Sequence, residues 1–198
     1  MSSQNSQRGR PAITDDGSIL DAVTNAFWKG GFFETSISDL SAASGASRAS
    51  LYKLYGDKNA LLIAALDRYA KRFDLRVSET LSEKAEPVEA VQITLNASAD
   101  RLTDPAKPNG CLRCRTTLEL TGFYEDIDAA LIRVNQAFED NMRRLLNADG
   151  TGRPTDEATA KVLTAAVNGM VVMAEAGATR ADLEDVIIGA LEVVKARL

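Results

Sequence analysis

Residues 35–58 read TSISDLSAASGASRASLYKLYGDK, and this stretch decides the fold. Thr35 is placed to cap a short helix, because its hydroxyl can accept an orphan backbone N–H of the first turn. Ile37 and Leu40 lie three apart and give that helix an inward face. Gly45 falls where the chain must turn, since glycine alone takes positive φ without steric cost. Ser47 is placed to cap a second helix with Leu51 and Leu54 on its inner side and Arg48, Ser50 and Lys53 exposed. Two short helices joined in this way form a helix-turn-helix, a unit whose second helix fits the DNA major groove.

The residues that follow narrow the reading. Gly45-Ala46-Ser47-Arg48-Ala49-Ser50-Leu51-Tyr52-Lys53-Leu54-Tyr55, then Asp57-Lys58-Asn59-Ala60-Leu61, resemble the G-v-s-x-g-t-L-Y-x-[HY]-F-x-x-K-e-x-L signature of the TetR family of transcription regulators. The resemblance covers residues 14 to about 70, with Ala49, Leu54 and Asn59 departing from the pattern. It implies a homodimeric, ligand-responsive regulator, usually a repressor, with an N-terminal DNA-binding domain and a C-terminal helical domain. Arg48, Ser50 and Lys53 are the candidates for reaching into the groove, Arg48 by hydrogen bonding to a guanine edge where one is present. Thr35, Ser36, Ser47, Tyr52 and Lys58 are candidates for positioning on phosphates. Lys58 opposes the helix dipole at the start of a helix, and a phosphate there would reverse the sign of that interaction. Tyr55 stands where the pattern has a core phenylalanine.

Charge supports a localised interface and argues against a generally sticky protein. The formal net charge is −5. Residues 1–60 hold six basic and six acidic side chains, so all the negative excess lies beyond the helix-turn-helix. Phosphate affinity depends on local cations, so specific DNA binding stays open while non-specific binding is weakened. Within the polar segment 1–13, expected to be disordered, Arg8 and Arg10 form a basic arm of the kind that enters an adjacent minor groove; a solvated tail is the competing reading.

The remaining chain reads as helix throughout, giving an all-α fold of about nine helices. Ile19, Leu20, Val23, Ala26 and Phe27 define a helix over 14–29, capped by Thr14 or Asp16 and ended by Gly30-Gly31. Phe32 and Phe33 are expected to pack that helix on the helix-turn-helix. Asp57 opens a long helix over 58–82 with Leu61, Leu62, Ala65, Leu66, Tyr69 and Phe73 inward. Further helices are expected over 87–103, 111–121, 126–147, 155–176 and 181–197. Four segments follow: an arm at 1–13, a DNA-binding domain at 14–57, a connecting helix at 58–82, and a ligand-binding and dimerisation domain at 83–198. The helix over 155–176 is apolar around much of its circumference, so it needs burial on more than one side. Burial within one chain alone would account for this; the family resemblance instead implies that it and the last helix pair with their two-fold mates, presenting two recognition helices about 34–36 Å apart to a palindromic double-stranded operator.

Cys111-Leu-Arg-Cys114 follows a Pro/Gly loop and should begin a helix, where the dipole and the flanking Arg113 and Arg115 lower thiol pKa values. Asn109-Gly110-Cys111-Leu112 with Glu119 resembles the G-C-L…E motif of one TetR subgroup, some members of which sense through that cysteine. Core packing of the two thiols is the alternative. Phe73, Phe123, Phe138, Asn168 and Met170 are candidate pocket residues from helix position alone. No histidine is present, which removes Ser-His-Asp and Cys-His catalysis, and one C-x-x-C supplies too few zinc ligands. No catalytic residue, metal or cofactor is therefore expected. No apolar run approaches the roughly 18 residues of a membrane span, so a cytoplasmic location is expected. A cysteine-based redox enzyme using Cys111 and Cys114, and a protein-interaction module that has lost DNA binding, remain as alternatives.

Overall fold

The computed structural model describes residues 16–83, 85–154 and 156–198. Among them are nine helices and no strand: α1 (Asp16–Glu34), α2 (Ile37–Ser44), α3 (Arg48–Tyr55), α4 (Lys58–Ser82), α5 (Pro87–Thr103), α6 (Leu112–Leu120), α7 (Glu125–Leu146), α8 (Asp156–Glu175) and α9 (Arg180–Lys195). The arm with Arg8 and Arg10, the Thr14 cap and the helix start at Thr155 lie outside the described residues.

Local chemistry sets the helix ends. Ser36, and not Thr35, caps α2: its hydroxyl accepts from the Asp39 N–H while the Asp39 carboxylate accepts from the Ser36 N–H at 2.8 Å. This reciprocal pair satisfies two donors at once. Thr35 is instead buried, its hydroxyl donating to the Gly31 carbonyl at 2.6 Å. Gly45 closes α2 at φ 70°, a conformation that costs glycine nothing. Ser47 caps α3 by accepting from the Ser50 N–H at 3.0 Å, and Asp57 caps α4 by accepting from the Ala60 N–H at 2.8 Å.

Gly30-Gly31 does not end the first helix. The chain breaks helical geometry at Gly31 (φ 75°, ψ −178°) and turns helically again to Glu34. Phe32 then points into the core, whereas Phe33 is 50% exposed and does not pack α1 on the helix-turn-helix. It meets the Phe123 ring edge-on at 5.7 Å instead. Leu54 also departs from expectation: it is 46% exposed on the outer side of α3, leaving Leu51 as that helix's one buried residue.

Two apolar cores divide the molecule. The first joins α1, α2, α3 and the front of α4 to Leu112 and Leu120 of α6 and Ile127, Leu131 and Val134 of α7. The second joins Phe73 and Val77 of α4 to α5, the rear of α7, α8 and α9. Tyr69 packs against both, so α4 and α7 are the shared beams. No helix of the described residues is long and apolar enough to cross a membrane.

Candidate nucleic-acid interface and interior cavity

The α3 surface follows from one buried anchor. Leu51 is fully buried, and the helix period then turns Arg48, Ser50, Tyr52 and Lys53 outward, all exposed. Ser47 and Ser50 share a hydrogen bond between their hydroxyls at 2.9 Å, on the exposed N-terminal turn. Ser36 is exposed beside the start of α2, while the buried Thr35 hydroxyl is turned away from this face. Lys58 is withdrawn from it as well: its ammonium lies 4.3 Å from the centre of the Phe32 ring. Burial lowers its pKa, with Glu119 opposing that shift. The exposed cations on α3 are thus Arg48 and Lys53.

A cavity of about 520 Å³ lies between α4, α5, α6, α7 and α8. Phe73 and Phe138 line it and stack at 4.7 Å. Of the other residues expected there, Asn168 stands one contact behind the wall, accepting from Arg113 at 2.6 Å and from the Cys114 thiol at 3.4 Å. Met170 is fully buried in the second core without lining the cavity, and Phe123 is 64% exposed on the surface. Tyr69, Arg76, Arg101, Cys111 and Arg113 contribute polar groups to the lining, with Lys71, Asp74, Asp140 and Arg144 also on it. The lining arginines come from four helices distant in sequence, and only Arg113 falls in a stretch that the sequence marks.

Cys111 is the N-cap of α6 and is buried at the cavity wall. The Tyr69 hydroxyl donates to its sulfur at 3.4 Å. The adjoining Cys114 side chain and the nearby Arg113 charge lower the pKa of the Cys111 thiol, whereas the same neighbour and burial push Cys114 up. Arg115 does not share in this: it is directed at α1 and donates to the Lys29 carbonyl at 3.2 Å.

Helix α6 and its leading loop are fastened to α1 at three points. The Trp28 indole donates to the Asn109 carbonyl at 3.1 Å, Arg115 donates to Lys29, and the Glu119 carboxylate accepts from the Phe32 and Phe33 N–H groups at 3.1 Å. These N–H groups are free because Gly31 breaks the helix, and a carboxylate at such a start is favoured by both hydrogen bonding and the dipole. Glu119→Ala should therefore destabilise the fold by about 1–3 kcal/mol, with Glu119→Gln intermediate. Thermal denaturation of the three proteins measures this; equal stability would contradict the role.

Helices α8 and α9 leave an apolar surface uncovered. Val162, Ala165, Gly169 and Val172 recur at helical spacing along one exposed face of α8, and Ile188 and Gly189 are exposed on α9.

Comparison with known proteins agrees with this layout. Residues 19–65 match the family model described as bacterial regulatory proteins, tetR family, and residues 87–187 match the C-terminal domain of LmrA/YxaF-like transcriptional regulators. The HTH-type transcriptional repressor ComR of Escherichia coli K12 is 31% identical over 178 residues, spanning 87% of this chain and 85% of its own. A cysteine mutant of the TetR family regulator CifR, solved with 26-bp double-strand operator DNA, superposes with a TM-score of 0.73 at 25% identity, over 92% of this chain and 98% of that one. The Streptomyces coelicolor regulator SCO4454 shares the fold with a TM-score of 0.78 at 20% identity, over 91% and 88% of the two chains.

Proposed function

Because the chain belongs to the TetR family of bacterial regulatory proteins, we propose that two copies bind a palindromic operator as a repressor and release it when a small molecule or thiol-reactive compound reaches the interior cavity. The observation that carries the DNA half is α3 itself: a helix held by Leu51 and capped by Ser47, presenting Arg48 and Lys53 to solvent. Arg48 reads a base edge, Lys53 joins it in the groove, and Ser36, Ser47 and Tyr52 set the register on phosphates. Lys58 leaves the Phe32 ring to join them when a phosphate is present. The uncovered faces of α8 and α9 pair with those of a second copy and fix the separation of the two α3 helices.

The release half follows from how the cavity is walled. The long α4 forms one side, and Asp21 of α1 is ion-paired to Arg68 and Arg72 of α4 at 2.6 and 2.7 Å. On the other side, α6 is fastened to α1 through Trp28, Arg115 and Glu119. An occupant that parts α4 from α7, or displaces α6, moves α1 and with it the helix-turn-helix. Such an occupant must bind the DNA-incompetent arrangement more tightly, since equal affinity for both shifts nothing.

The DNA half is tested by mobility shift on the DNA upstream of its own gene. Arg48→Ala should weaken binding by about 1–3 kcal/mol and relax sequence preference; unchanged affinity and preference would refute the assignment. For the thiols, diamide should release DNA from the wild type and not from Cys111→Ser, because the thiolate is the reacting form. A normal diamide response in that variant would remove Cys111 from the mechanism.

A further inference from the structure

The cavity carries more positive charge than its own carboxylates can answer. Its lining includes Lys71, Arg76, Arg101, Arg113 and Arg144 against Asp74 and Asp140. Both carboxylates are already engaged: Asp74 with Arg144 at 2.6 Å, and Asp140 with Arg143. Among the described residues no carboxylate ion-pairs with Arg76, Arg101 or Arg113. Arg113 is buried, yet its guanidinium donates only to the neutral amides of Asn135 and Asn168 and lies 4.2 Å from the centre of the Phe138 ring. Arg101 is half-buried over the Trp28 ring at 5.1 Å and donates to the Gly110 carbonyl at 3.0 Å. Arg76 stands at the exposed edge, 5.5 Å from the Phe73 ring.

Cations taken partly out of water are ordinarily balanced by an anion close by, because their desolvation is costly. Arg113 has the Cys111 sulfur and two side-chain amides beside it. Arg76 and Arg101 lie near each other and near Tyr69 with no ion-paired carboxylate, Glu79 one turn along α4 acting on Arg76 only at a distance. Beyond them the wall is Phe73, Phe138, Leu66, Leu102, Val134 and Val167. A volume of about 520 Å³ suits a small amphipathic molecule.

Building on the reading of this cavity as the effector site, we propose that it takes an organic anion: a carboxylate on an aromatic or aliphatic body, its charge held by Arg76 and Arg101 and its body laid against Phe73 and Phe138. Guanidinium groups suit this because each presents several donors in a plane matched to a carboxylate. A neutral molecule of the same shape gains the apolar contacts but leaves the cations unanswered.

Trp28 is the one tryptophan of the chain and lies against Arg101, so its fluorescence reports on that corner. The full-length protein is titrated with phenylhexanoate and with phenylhexanamide, which share a body and differ in charge. The carboxylate should bind about tenfold more tightly or better, the size of one charge-assisted hydrogen bond. Arg76→Gln, which removes no hydrogen bond within the described protein, should narrow that gap severalfold, and Arg101→Gln should do the same. In Cys111→Ser the gap should persist, since the arginines and not the thiol select the ligand. Equal binding of the two probes, binding of neither, or an undiminished gap in both arginine variants would overturn the proposal. DNA binding is recorded on the same samples. A protein that binds DNA but prefers neither probe fails the anion assignment alone; one that prefers the carboxylate without binding DNA supports it and fails the repressor reading.

Discussion

Val172→Asp should lower affinity for operator DNA by about 10²–10⁴-fold, the size of the advantage that linking two half-site contacts confers. Val172 is 59% exposed on α8, in line with Val162, Ala165 and Gly169, so the isolated protomer has little reason to notice the change. In a dimer built on this face the new carboxylate would lie against its two-fold mate, desolvated and facing like charge. The small residues at 165 and 169 permit close approach of two helices there, leaving no room for water to rescue the carboxylate. Sedimentation should show the variant as a folded monomer whose melting no longer depends on protein concentration, and mobility shift should show the loss on a full operator but not on an isolated half-site. A variant that stays dimeric with full operator affinity would mean that another surface joins the two copies.

Leu51→Ala should have the largest effect on stability, about 2–5 kcal/mol. Leu51 is fully buried, and it is the single buried residue of α3. Leu40 answers it from α2, with Phe27, Leu61 and Leu62 in the same core. An eight-residue helix has almost no independent stability, so α3 depends on this contact for its existence as well as its orientation. Amide exchange should accelerate across α2 and α3 while α8 and α9 stay protected, because the second core is untouched. Saturating operator DNA should slow the exchange again by mass action. Uniform exchange rates in variant and wild type would show that α3 is held by something other than Leu51.

The sequence was most legible where one residue type meets one local requirement. Asp57 before an apolar-periodic run and Pro87 at a first turn located the starts of α4 and α5, because caps and proline act on their own segment. Ser47, Gly45 and Leu51 likewise carry their roles in their immediate context. Thr35 and Ser36 were the counter-case: two adjacent hydroxyls, either able to cap, separated only by which one the Gly31 break turns inward. Phe33 and Phe123 find each other across 90 residues on the surface, and no periodicity anticipates that contact. The cavity was least legible. Phe73 and Phe138 were among the residues expected there, but Tyr69, Arg76, Arg101 and Arg113 meet only because five helices converge. Glu119 was visible as part of a motif, while its partners, two N–H groups freed by a glycine 88 residues earlier, belong to tertiary structure alone.

The central claim is that two copies of α3 read one operator from the same face of the duplex. Hydroxyl-radical footprinting of the purified protein on the DNA upstream of its gene tests it most directly. The account predicts two protected patches about one helical turn apart, or a whole number of turns, each inside one arm of an inverted repeat, with both lost in the Arg48→Ala/Lys53→Ala double variant. A single patch, protection unrelated to any repeat, or an unaltered footprint in the double variant would contradict it.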